Sequence, residues 1–143
     1  MPNWRETIGR ESDGLLPGAT ASIIAGVEAD IGLRLPASYK EFLAFADGGY
    51  LDSKTILLFA AGKGIHPSET LVASNRSLPV EHPLFIIGRT ASEDFGFMKS
   101  DLQLSSPAVY IYRHEIRRLT KIADSFEDFL HQPRQLDQRS RSN

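Results

Sequence analysis

Cysteine is missing altogether from the 143 residues. That absence excludes disulfide scaffolds, sulfur-ligated zinc and thiol nucleophiles, and it fits a reducing compartment. Long hydrophobic runs are missing too. No stretch approaches the roughly 18 apolar residues of a membrane span. The opening MPNWRETIGRESDG has none of the apolar run that a signal peptide requires. Charge of one sign is equally scarce: 16 Lys and Arg against 18 Asp and Glu leave a formal −2, with no global pull toward nucleic acid or acidic lipid. The expectation is a cytoplasmic protein with no membrane attachment.

What is present suits one folded body. The chain is 41% hydrophobic and 24% charged, enough to bury a core without metal or disulfide staples. No internal repeat or low-complexity core is visible. Residues 1–18 are polar, broken by Gly9, Gly14, Pro17 and Gly18, and read as a lead-in that Trp4 and Ile8 pin to the body. A single domain is expected over 19–132, followed by a polar, flexible tail over 133–143 whose Arg134, Arg139 and Arg141 read as solvated.

Periodicity supplies the elements. Ile24, Val27 and Ile31, with Ile23 beside them, make one apolar stripe and predict a helix over 20–31. Thr20 or Ser22 can cap it, and Gly32 can stop it in a left-handed conformation. Tyr39, Phe42, Leu43 and Ala46 predict a second helix, with Phe45 widening its stripe. Its start is open: Ser38 and Glu41 have capping-box spacing, while Pro36 can instead occupy the first turn. Gly48 and Gly49 then offer a positive-φ exit toward a strand over 54–59.

A short helix is expected over 66–73, with Pro67 in its first turn and Ser68 or Glu69 near its positive end. Strands follow over 84–87 and 95–98. A hairpin over 109–113 and 119–122 places Val109 and Ile111 on one face and Tyr110 and Tyr112 on the other. A last helix begins at Asp124, with Glu127 at the third-position spacing and Phe126, Phe129 and Leu130 on one face, and stops at Pro133. The order points to an α+β domain: a largely antiparallel central sheet packed by two N-terminal helices and a C-terminal helix.

Chemistry-bearing motifs do not assemble. His66, His82, His114 and His131 fall in separate elements without HExxH spacing, so no metal site is expected. Gly62, Lys63 and Gly64 lack the flanking residues of a phosphate loop. Asp94, Phe95 and Gly96 mimic a kinase magnesium motif without its companions, and no GxSxG elbow occurs. Glu93 and Asp94 are adjacent carboxylates that could act as an acid/base pair, but neighbours in an extended loop usually point apart; a solvated loop is the preferred reading and an acidic contact surface the third. The stretch 112–121 gathers Arg113, Arg117, Arg118 and Lys121 around Glu115, with Tyr110 and Tyr112 nearby. That mixture is what nucleic-acid binding would want, but on a net acidic protein a polar hairpin tip is the preferred reading.

Three segments together resemble the SUKH superfamily, which includes the yeast-type cell-wall-assembly regulators and many bacterial proteins. The first runs from ATASIIAGVEADIG through LRLPASYKEFL to Gly48 and Gly49, like the family's E-x-x-I/L-G, L-P-x-x-Y-x-x-F-L and G-G skeleton. The second is FIIG at 85–88. The third is PAVYIYRHE with IADSFEDFL, like the family's V-Y-x-x-x-H-E and A-x-S-F-x-x-F-L ending. Two departures stand out: Asp47 replaces a frequent Asn before the glycine pair, and the turn after Gly88 lacks a second early glycine.

The resemblance implies helices packed on a central sheet and, for a compact bacterial-looking member, an immunity protein. Such a protein binds and neutralises a toxin's effector domain, often a nuclease or nucleic-acid deaminase. It is not an enzyme and needs no catalytic residue, cofactor or metal; its partner is a protein, with no direct nucleic-acid contact. The alternative is a regulatory scaffold of the cell-wall-regulator type. Because nuclease surfaces tend to be basic, acids at expected loops and element ends are the candidate contacts: Asp52, Glu69, Glu81, Glu93, Asp94 and Asp101. They are chosen by charge and expected exposure, not by motif.

Overall fold

A computed structural model describes residues 14–51, 56–62 and 67–131. Seven strands lie side by side in chain order: β1 (Leu15–Pro17), β2 (Ala46–Leu51), β3 (Ile56–Leu58), β4 (Leu84–Arg89), β5 (Glu93–Met98), β6 (Val109–Arg113) and β7 (Arg118–Ala123). Every neighbouring pair is antiparallel. Four α-helices accompany them among the described residues: α1 (Ala21–Ile31), α2 (Ala37–Phe45), α3 (Leu71–Arg76) and α4 (Phe126–His131). The expected α+β domain with an antiparallel sheet is what the chain forms.

Local signals explain most boundaries. The Thr20 hydroxyl accepts from the Ile23 amide at 3.2 Å, and Gly32 ends α1 at φ 72°. Neither expected start of α2 holds, because Pro36 is the residue just outside the helix and no side chain caps it. In place of one helix over 66–73, a 3-10 turn (Pro67–Glu69) precedes α3, whose cap is Thr70 accepting from the Ala73 amide. At α4, Ser125 rather than Asp124 takes the capping role, accepting from the Asp128 amide at 3.0 Å. Asp124 instead meets Lys121 at 2.8 Å.

The glycine pair is a correction. Helix α2 turns directly into β2 at Ala46, whose backbone is extended, and Gly48 and Gly49 sit inside the strand. Their φ values are 75° and 120°. A Cβ on Gly48 would stand 2.6 Å from the Leu58 carbonyl oxygen, and one on Gly49 would stand 2.8 Å from the Leu15 Cα. The pair therefore admits β3 on one side and β1 on the other, rather than releasing the chain. It follows that 15–17, read as lead-in, is a sheet edge. Trp4, Ile8, Lys54, Thr55, Lys63, Gly64, His66, Pro133 and the tail arginines lie outside the described residues.

The core lies between sheet and helices. Tyr39 meets Phe97 at 5.4 Å and Phe126 at 5.3 Å between ring centroids, and Phe42 meets Phe126 at 4.9 Å, all edge-on. Phe95 meets Phe129 at 4.9 Å. Ile24 and Val27 of α1 join the same cluster. Burying a side chain such as Phe42 contributes about 2–3 kcal/mol. Two polar clamps close the layer where strands run out. The Asp47 carboxylate accepts from the Ala61 and Gly62 amides at 2.6 and 3.0 Å. The Asn75 amide bonds both the N–H and the carbonyl of Ile86, at 2.8 Å each, and so satisfies backbone groups that a neighbouring strand would otherwise take. Among the described residues, no helix is long and apolar enough to cross a membrane.

Candidate protein-interaction surface

Register builds a charged end onto the sheet. The β4–β5 pairing sets Arg89 opposite Asp94, and the β5–β6 pairing sets Glu93 opposite Arg113 and Asp94 opposite Tyr112. Cross-strand partners share a face, and successive residues alternate between faces. Glu93 thus continues the inward row of Phe95 and Phe97, while Arg113 continues that of Val109 and Ile111. The Arg113 Nε lies 3.3 Å from the Glu93 Oε2, with side chains only 10% and 2% exposed. The Thr90 hydroxyl adds a 3.0 Å bond to the other Glu93 oxygen.

Asp94 faces the other way and meets the His114 Nε2 at 2.8 Å. Beside it runs a row of rings: Tyr112 stands 5.4 Å from His114 and 5.1 Å from His82, edge-on to both. Burial pushes the His82 imidazole below its ordinary pKa. Its Nδ1 accepts from the Leu84 amide at 3.2 Å, which requires that nitrogen to be unprotonated. The fold gathers two histidines and a carboxylate, yet among the described residues no group of three or more such ligands is placed to hold a metal ion.

The six acidic candidates separate into groups. Asp52 lies outside the described residues. Glu69 is held by the 3-10 turn and by backbone bonds across Ala60, is 8% exposed, and meets Arg89 at 3.3 Å. Glu93 is 3% exposed. The premise of exposure therefore fails for Glu69 and Glu93, because register and a neighbouring cation draw both inward. Asp94 is half-buried and paired. Glu81 is exposed in the turn before β4, and half-buried Asp101 closes a 3-10 turn (Lys99–Asp101). The segments that carry them are tied together, since the Lys99 ammonium donates to the Val80 carbonyl at 3.2 Å. Glu93 and Asp94 point to opposite faces and form no acid/base pair.

Beyond Arg113 the chain turns through 114–117, every residue of which is exposed. Ile116 shows 54% of its surface, and Arg117 has φ 51°. Sequence reasoning identified this hairpin as basic but did not find that its first cation, Arg113, is spent in the interior. The alternation Val109, Ile111, Arg113, carried one step past the apolar residues, is the signal that contained it.

No curated protein matches the chain. A family model does match it, over residues 18–132, which takes in every strand but the first and all four helices. The chain belongs to the SMI1 / KNR4 family (SUKH-1).

Proposed function

We propose that this chain is an immunity protein that binds the effector domain of a bacterial toxin, of nuclease or nucleic-acid deaminase type, and blocks it in the cytoplasm by occupying its surface. The observation that carries the reading is membership of a family that includes toxin immunity proteins and cell-wall regulators. The structure is compatible with it in physical terms. A rigid antiparallel sheet presents turns whose bases are locked by ion pairs, and inhibition by occlusion needs presentation rather than chemistry. Glu81 and Asp101 remain the candidate acidic contacts among the described residues.

The test is co-expression with the product of an adjacent toxin-like gene. The expected outcome is restored growth and a stoichiometric complex on size exclusion. Failure to bind or protect against every adjacent effector overturns the reading. A housekeeping partner with no toxin gene nearby then favours the regulatory scaffold of the same family.

A further inference from the structure

We propose that the β6–β7 hairpin tip, His114 to Arg118, is a preformed docking element for an acidic protein surface surrounding an apolar hollow. The proposal rests on the reading that the chain works through a protein partner, but not on that partner being a toxin. Four observations converge on the tip. Arg117 and Arg118 form no ion pair among the described residues, whereas Arg89, Arg113 and His114 at this end of the sheet each meet a carboxylate. Ile116 stands exposed between them and Glu115. Arg117 holds a left-handed backbone where a turn selected only for closure would carry Gly or Asn. A costly conformation retained at an exposed cation points to a requirement for where that guanidinium is held.

The fourth observation is the base of the tip. Glu93 and Arg113 brace it from the buried face, and Asp94 and His114 brace it from the other. A tip anchored on both faces loses little freedom on docking, and two exposed arginines beside an apolar apex suit carboxylates at the rim of a hollow. Nucleic acid fits less well. Glu115 sits within the tip and repels phosphate, and the Tyr112 ring is engaged edge-on by two imidazoles instead of offering a face to a base.

The experiment is an NMR titration of the full isotope-labelled chain with a peptide of alternating glutamate and leucine, and separately with a short oligothymidylate. Peptide-induced amide shifts are expected at 114–118, weakening with salt. Arg118→Glu is expected to lower peptide affinity about tenfold, and Ile116→Ser about threefold, with the β6 and β7 amides unmoved to show that both variants fold. Peptide shifts that scatter, or that survive Arg118→Glu unchanged, overturn the proposal. Tighter binding of the oligothymidylate at the tip overturns it in favour of nucleic acid. The immunity reading is judged separately: an effector that the Arg118→Glu chain binds and protects growth against as well as wild type sinks the tip alone.

Discussion

The helix-covered centre of the sheet and its charged end are built from the same strands, and they are stabilised by opposite means. At the centre, Tyr39, Phe42, Phe97 and Phe126 interlock ring to ring, and many small contacts share the stabilisation. At the end, the same inward rows finish in Glu93 and Arg113, where one pair must offset the removal of two charges from water. The centre tolerates approximate shapes at a graded cost. The end works only when both partners are present, so it specifies which residue of β5 faces which residue of β6.

That contrast can be broken at either side. Phe126→Ala has the largest expected effect, about 3–5 kcal/mol of unfolding free energy in urea, because it removes burial and leaves a cavity among the rings of Tyr39, Phe42, Phe97 and Phe129. Arg113→Ala follows at about 3 kcal/mol, since it strands the Glu93 carboxylate in the interior. Replacing both partners, Glu93→Leu with Arg113→Leu, is expected to cost far less than Arg113→Ala alone. If the double variant proves as unstable as the single one, the end is an ordinary stretch of core and the contrast fails.

The two regions also differ in how far the sequence revealed them. Repeats of three and four placed Tyr39, Phe42 and Leu43 on one helical stripe, and a repeat of two placed Val109 and Ile111 on one face of a strand; all five are buried. These are local patterns, read along a single element. Burial of Glu93 follows from the alternation Phe97, Phe95, Glu93 carried one step past the apolar residues, but which cation lies opposite it is set by the β5–β6 register, which no local pattern encodes. The glycine pair misled for a related reason. Its positive φ was legible, but its purpose, close approach of β1 and β3, belongs to neighbours distant in the chain.

A smaller effect tests the Asp47 clamp on β2, on the far side of the sheet order from the charged end. The carboxylate accepts from two backbone amides, one at each oxygen. An Asn amide accepts at one site and would turn its own N–H groups toward the other donor. Asp47→Asn is therefore expected to cost about 1–2 kcal/mol in thermal or urea unfolding, although the residues are nearly the same shape. An unchanged midpoint would mean the segment at Ala61 and Gly62 is held by other contacts.

The last effect is silent near neutrality. Tyr39 lies in the aromatic centre, and burial, reinforced by the Asp47 carboxylate, raises its phenol well above the ordinary value of 10.0. In the unfolded chain the phenol ionises near that ordinary value, while in the folded chain it stays protonated to higher pH. The stability that comes from this difference is fully present below about pH 10 and is lost as pH rises toward the folded pKa. Urea midpoints of wild type and Tyr39→Phe are expected to keep a constant offset from neutral pH to about pH 9. Above that range the wild type should fall more steeply than the variant. Parallel curves through about pH 11 would show that the phenol ionises alike in both states, and that the ring centre is wetter than the packing around Tyr39 implies.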